Sequence, residues 1–227
     1  AMFQQRELFN TNLPSTEMIR QQPDIVIPRS VEMPPSRLTH AKNGVRIYTL
    51  KSDDFEVVRF TFVFKAGSTT QHKPFAASST ANMLGEGSTS LSAQEIAEKL
   101  DFYGSYFDVN IDRDYTYISF CSLKKFFEPT LDVAREILLH PAFPEREFNI
   151  YCQKRKQSLT IERQKVDMQS REMFAEALFG SNHPYGISTP EEAYDDLTTD
   201  DLREHYDGLY TAENSFVACS GNIDDRV

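Results

Sequence analysis

The run Phe55 to Phe64 constrains the fold more than any other part of the chain. It carries Val57, Val58, Phe60, Phe62 and Phe64, and β-branched and aromatic residues at this density fit a pleated strand. A second strand-like run, Val45-Arg46-Ile47-Tyr48-Thr49-Leu50, precedes it after the turn signal Asn43-Gly44. Ser52-Asp53-Asp54 separates the two runs, which together predict a β-hairpin. Helical patterns then interrupt the strands. Ala76 to Leu84 is small and helix-compatible, and Ser92-Ala93-Gln94-Glu95 fits a capping box that opens a helix with Ile96, Leu100 and Tyr103 on one face. Tyr106 to Ile111 and Tyr115 to Leu123 predict two more strands around Asp112-Arg113-Asp114. Thr130 to Leu139 predicts a helix stopped by His140-Pro141. Glu145 to Phe179 predicts one long helix or two in series, with Val166-Asp167-Met168 as the break. Thr189-Pro190-Glu191-Glu192 opens a short helix with Pro at its first position, Thr199 to Tyr206 forms another, and Asn214 to Ser220 is the last strand. Strand pairs mixed with helices predict an α+β fold: a mixed, largely antiparallel sheet with helices packed on one face.

Composition excludes several functions. With 24 Lys+Arg against 34 Asp+Glu, the net charge of −10 and pI near 5.0 argue against general nucleic-acid binding and disfavour anionic membranes. No run approaches the roughly 20 apolar residues of a spanning helix. The three cysteines, Cys121, Cys152 and Cys219, are isolated and form neither a disulfide framework nor a CxxC site. They read as free thiols, although one pair could still bridge. The five histidines, His40, His72, His140, His183 and His205, lie more than ten residues apart and read as loop or surface residues. GxSxG, GxGxxG and Walker A loops are absent. Cys152 has no evident catalytic partner. Lys124-Lys125 reads as a strand end, Lys154-Arg155-Lys156 as a solvated helix face, and Phe102, Phe126 and Phe127 as core.

Residues 1–42 read as an extended, Pro-containing segment and 43–227 as one domain. Ala1 before Met2 resembles a tag scar. An export signal removed upstream would favour a periplasmic or exported protein; otherwise a cytoplasmic one is expected.

Several strings recur in one order: Asn43-Gly44-Val45, Ala66-Gly67-Ser68, Met83-Leu84-x-x-Gly87-Ser88, and Ser92 to Ala97. They are followed by Gly104 with Arg113-Asp114-Tyr115-Thr116, then Pro141-Ala142-Phe143-Pro144. Leu178-Phe179 with His183-Pro184-Tyr185-Gly186, and Asn214 with Gly221-Asn222-Ile223-Asp224, complete the series. Together they resemble the first homology domain of the insulinase/pitrilysin zinc metallopeptidases, a family that includes the mitochondrial processing peptidases and the core proteins of respiratory complex III. The resemblance implies a second, similar domain that this chain lacks.

Active members carry H-x-x-E-H, in which two His bind zinc and the Glu acts as general base. A distal Glu completes the ligand set. The corresponding string here is Ser78-Ser79-Thr80-Ala81-Asn82, so Ser78 and Asn82 stand at the His positions and Ala81 at the Glu position. The distal position falls at Gln157, Ser158 or Leu159. Glu86 and Glu162 are acidic but lack His partners at ligand spacing. The resemblance therefore implies no catalytic residue, no metal ligand and no cofactor, with zinc confined to active relatives. It also implies that Ser105 to Ile111 is an edge strand against which relatives align extended peptides, making Phe107, Asp108, Val109 and Asn110 candidate peptide contacts. A purely structural strand is the alternative. Asp108 stands where active relatives commonly have Asn, which would weaken a contact to a substrate carbonyl. The function implied is a degenerate partner subunit that forms a heterodimer with a related active HxxEH metallopeptidase and helps enclose extended peptides. A structural scaffold like the complex III core proteins, and an active metallopeptidase with an unrecognised site, are the alternatives.

Overall fold

A computed structural model describes residues 34–224. The lead-in segment and the tag-like start therefore lie outside the described residues as far as residue 33. From Pro35 onward the chain forms one compact unit. Its strands are β1 (Arg37–His40), β2 (Arg46–Lys51), β3 (Val57–Phe64), β4 (Tyr106–Ile111), β5 (Thr116–Leu123) and β6 (Ser215–Gly221). Its helices are α1 (Ala76–Met83), α2 (Ala93–Tyr103), α3 (Phe127–Leu139), α4 (Glu145–Glu162), α5 (Val166–Phe179) and α6 (Thr199–Leu209). The sheet order is β1-β2-β6-β3-β5-β4, and every pairing is antiparallel except β2 with β6.

Alternation along β3 sets the two faces of the sheet. Val58, Phe60 and Phe64 are buried, while Arg59 is exposed. Register places Phe60 opposite Phe120 on β5 and Cys219 on β6. Phe60 stacks on Phe120 at 5.3 Å and meets Phe127 of α3 edge-on at 5.3 Å. Ile96 and Leu100 of α2, Val133 and Ile137 of α3, and Leu202 of α6 join the same core cluster. Each large apolar side chain buried there contributes about 1.5–3 kcal/mol. The opposite face, with Arg59, Thr61, Tyr117, Ser119 and Cys121, contributes nothing to that cluster.

The predicted hairpin between β2 and β3 does not form, because β6 lies between them. The two strands are therefore separated by two sheet spacings, about 10 Å, a gap the short 52–56 link can span. Ser52 N donates to Gly221 O, and Asn222 N donates to Val57 O, each at 2.9 Å, which ties the link to the end of β6. Gly221 is required here. Its φ is 116°, and an added Cβ would lie 2.1 Å from Val57 O.

Other local readings meet the structure with smaller changes. Arg37–His40, inside the segment read as a lead-in, pairs antiparallel with β2 as a short outer strand with one apolar residue. The capping box is present, with Ser92 Oγ accepting from Glu95 N and Glu95 accepting from Ser92 N. α3 starts at Phe127, one turn before Thr130. The long helical pattern divides at 163–165, just before the predicted break. Pro190 caps a 3-10 turn over Glu191–Tyr194 rather than occupying its first position. Phe127 is core as expected, but Phe102 is 80% exposed, because it sits on the outer side of α2. His205 is buried on α6, not at the surface. All three cysteines are free.

Candidate functional site

α1 is built from small residues: Ala76, Ala77, Ser79, Thr80, Ala81 and Met83 are all buried. Small side chains let the helix sit close to α6, where Thr80 Oγ1 donates to Leu202 O at 3.3 Å. Its N-terminus has no side-chain cap. Instead, Phe75 turns the chain with φ 64°, an uncommon conformation for a bulky residue, and its ring stacks on Tyr194 at 4.1 Å. On this helix Ser78, Ala81 and Asn82 share one face, as i, i+3 and i+4 spacing requires.

Their chemistry does not fit a zinc ion. Ser78 Oγ donates to Phe75 O at 3.2 Å, and Asn82 Nδ2 donates to Ser78 O at 2.7 Å, so both polar groups serve the helix backbone. Ala81 is fully buried and holds no proton-accepting group. On α4, Leu159 is buried in the hydrophobic core, beside an exposed Gln157 and a half-buried Ser158. Among the described residues no group of three or more His, Cys, Asp or Glu is placed to hold a metal. Burial, and then Glu147, raise the half-buried Glu86 carboxyl, while Lys154 opposes them. No catalytic step through zinc follows from this donor set.

A cleft of about 390 Å³ opens beside α1, lined by Ser78, Phe75 and Leu159 and by His72, Arg163 and Glu172. Its charged groups are engaged with one another. Arg163 donates to Glu191 at 2.9 Å, to Ser188 Oγ at 3.1 Å, to Thr189 O at 2.5 Å and to Glu172 at 3.4 Å. This joins the end of α4 to α5 and to the 187–191 loop. Lys73 binds Asp201 at 2.8 Å, and His72 lies 3.6 Å from both Asp201 and Glu204. Arg155, part of the basic run read as solvated, is half-buried, and Lys156 pairs with Asp195. The cleft wall formed by the 181–186 loop is fixed by aromatic contacts. His183 stacks on Phe179 at 5.4 Å, and Arg113 lies 5.1 Å from the Tyr185 ring. Tyr185 also donates its hydroxyl to Asp114.

Nucleophilic chemistry has no better footing. Burial, with Asp195 adding to it, pushes the Cys152 thiol up to about 11, and burial pushes Cys219 to about 11. Both stay protonated near neutral pH, the opposite of what a reactive cysteine needs. Burial also drives the Tyr151 phenol behind α1 up to about 12.

Phe107, Asp108, Val109 and Asn110 all lie on β4, which is an outer strand of the sheet. β4 packs beside α1, and an added Cβ at Gly85, just past α1, would lie 2.8 Å from the Phe107 ring. The edge strand and the Ser78–Asn82 helix are thus neighbours. What the sequence did not single out is the Arg163 cluster, since its partners are spread from 172 to 191 and share no motif spacing.

Among the described residues, a mainly antiparallel six-stranded sheet with six α-helices, and a short buried helix beside an outer strand, define an α+β domain. The chain belongs to the insulinase family (peptidase family M16), whose match spans residues 49–189. It is 27% identical over 151 residues to the uncharacterized zinc protease YmxG of Bacillus subtilis (strain 168), covering 63% of this chain and 36% of that protein. Among solved structures it resembles the peptidase M16 inactive domain of Pseudomonas fluorescens, with a TM-score of 0.80 and 20% identity over 85% of this chain and 48% of that one. A protease from Helicobacter pylori gives a TM-score of 0.75 at 17% identity, over 86% and 48%. The chain therefore spans about half the length of these solved relatives, and about a third of YmxG. No helix among the described residues is long and apolar enough to cross a membrane.

Proposed function

We propose that this chain is a non-catalytic member of the insulinase family that partners a related chain carrying an intact HxxEH site and lines the chamber that receives extended peptides. The observation that carries the reading is the pairing of two features. Ser78, Ala81 and Asn82 stand where a zinc site would need two His and a Glu, and their polar groups bond the helix itself. Among the described residues no strand pairs with the outer edge of the adjacent strand β4. Peptide capture by strand addition uses main-chain hydrogen bonds, so it needs none of the missing catalytic side chains. Phe107, Asp108, Val109 and Asn110 are the residues assigned to that contact.

The test is purification of the full-length tagged protein from its native host, followed by identification of stoichiometric companions and peptidase assays of each species. Recovery of an HxxEH-bearing relative, with chelator-sensitive hydrolysis only in the pair, is the expected result. Chelator-sensitive hydrolysis by this chain alone would overturn the reading in favour of an unrecognised active site. A stable assembly without any such relative would favour a scaffold.

A further inference from the structure

The hydrogen-bond phase of the outer strand can be worked out from its neighbours. At the β4–β5 turn, Asp112 N donates to Tyr115 O at 2.9 Å, and at the other end Lys124 N donates to Glu56 O at 3.0 Å. In an antiparallel ladder, hydrogen-bonded and non-hydrogen-bonded pairs alternate. The register therefore makes Asn110–Tyr117, Asp108–Ser119 and Tyr106–Cys121 the bonded pairs between β4 and β5. The β3–β5 register gives the same phase, since it assigns the even residues of β5 to β3. Consequently the N–H and C=O groups of Phe107, Val109 and Ile111 point away from the sheet. No turn or loop backbone group among the described residues bonds to them.

A strand added to this edge would bond Phe107, Val109 and Ile111, and Asp108 would stand in a non-bonded pair with it. In an antiparallel addition such pairs have Cα atoms about 4.5 Å apart, with close side chains. Asp108 points to the face away from the core helices, between Tyr106 and Asn110. Its carboxylate makes no ion pair or hydrogen bond within the described residues. The closest cation in register, Arg59, is held on Ser119 Oγ at 3.2 Å, and that hydroxyl also bonds Thr61 at 2.9 Å. Tyr106, 64% exposed, offers a ring alongside for an aliphatic stem. On the other face Phe107 packs on Phe120 at 5.1 Å and suits apolar neighbours.

We propose that Asp108 makes this edge selective for extended peptides that alternate apolar and cationic residues, with a Lys or Arg placed opposite its carboxylate. The proposal rests on the strand-addition reading given above. Opposite charges directly across a sheet attract and like charges repel, so the preference of Arg over Gln is expected to be about 2- to 5-fold in affinity. It should weaken as salt rises.

The probe is a fluorescein-labelled, end-blocked octapeptide alternating Val with one variable residue, Arg, Gln or Asp, titrated into the full chain and read by anisotropy. A second set carries N-methyl groups at the bonding positions. The expected result is tightest binding with Arg and weakest with Asp, loss of binding on N-methylation, and loss of the Arg preference in Asp108→Asn. In Asp108→Arg the order should reverse. Circular dichroism checks that both variants keep the native fold. Equal affinity for Arg, Gln and Asp peptides with N-methylation still blocking overturns the role of Asp108 and leaves strand addition standing. Binding that ignores N-methylation, or no binding by any peptide, overturns strand addition and the selectivity together.

Discussion

α1 and α5 border the same cleft and are held in place by different means. Six of the eight residues of α1 are buried, and it is anchored through Thr80 on α6. None of the fourteen residues of α5 is buried. Its inward side carries Met168 and Glu172, and Glu172 reaches Arg163 at 3.4 Å, whereas Val166, Met173 and Phe174 are 69–79% exposed on its outer side. α1 is thus fixed by packing. α5 is fixed by charge and hydrogen bonds around one arginine, and its apolar residues contribute little to the fold of this chain.

The largest expected effect tests the packed helix. Met83→Ala on α1 should cost about 2–5 kcal/mol, because it opens a cavity in a fully buried site. Urea unfolding with an unchanged m-value would show it, and a loss below about 1 kcal/mol would contradict the packing account. Next comes the ion pair beside α1. Burial tends to raise the Asp201 carboxyl, but the Lys73 ammonium and the Thr198 hydroxyl and N–H outweigh that and hold it at about 2 against an ordinary 3.8. The contribution to stability is present above the unfolded value and lost as pH falls from about 4 to about 2, and amounts to about 2 kcal/mol. Asp201→Asn should lose up to that amount at pH 7, and the gap to the parent protein should close in acid.

A smaller effect concerns His205. Burial lowers its pKa below the ordinary 6.5, with Ala66 O opposing as acceptor from Nε2. The unfolded chain then takes up the proton first, so stability is full above about 6.5 and declines as the solution is acidified below it. His205→Gln should flatten that decline in melting temperature between pH 7 and pH 5. Smallest of all, Met173→Ala on α5, the same substitution made on the 70%-exposed side of the other helix, should stay within about 0.5 kcal/mol. A larger loss would mean that α5 is packed in solution against something beyond the described residues.

Sequence patterns carried the elements well and their neighbours less well. The Ser92–Glu95 box, the strand at 57–64 and the paired strands at 106–123 depend on local spacing, and each is where its residues place it. The β2–β3 hairpin failed because pairing is not local. Consecutive strands lie side by side only about two-thirds of the time, and nothing between Leu50 and Phe55 reveals that residues 215–221 will intervene. β1 has no such signature, because Arg-Leu-Thr-His offers a single apolar residue to the alternation. His205 is buried because α6 turns it toward Ala66, a contact 139 residues away in sequence. At the candidate site, motif order pointed to Ser78–Asn82 and to Phe107–Asn110, which lie on α1 and on the neighbouring outer strand β4. The Arg163 cluster and the bonding phase of β4 have no local signature, since both depend on which groups face each other across separate elements.

The place of β6 has a consequence for how the domain is made. The strand that fills the centre of the sheet is the last to be made of the six described strands, so during synthesis β1–β2 and β3–β5–β4 exist first as two fragments with facing, unsatisfied edges. Only after Gly221 clears the ribosome can one segment zip both together, parallel on one side and antiparallel on the other. Contacts of such long sequence separation close slowly. The half-made sheet is the stage at which nascent chains are exposed to misassociation.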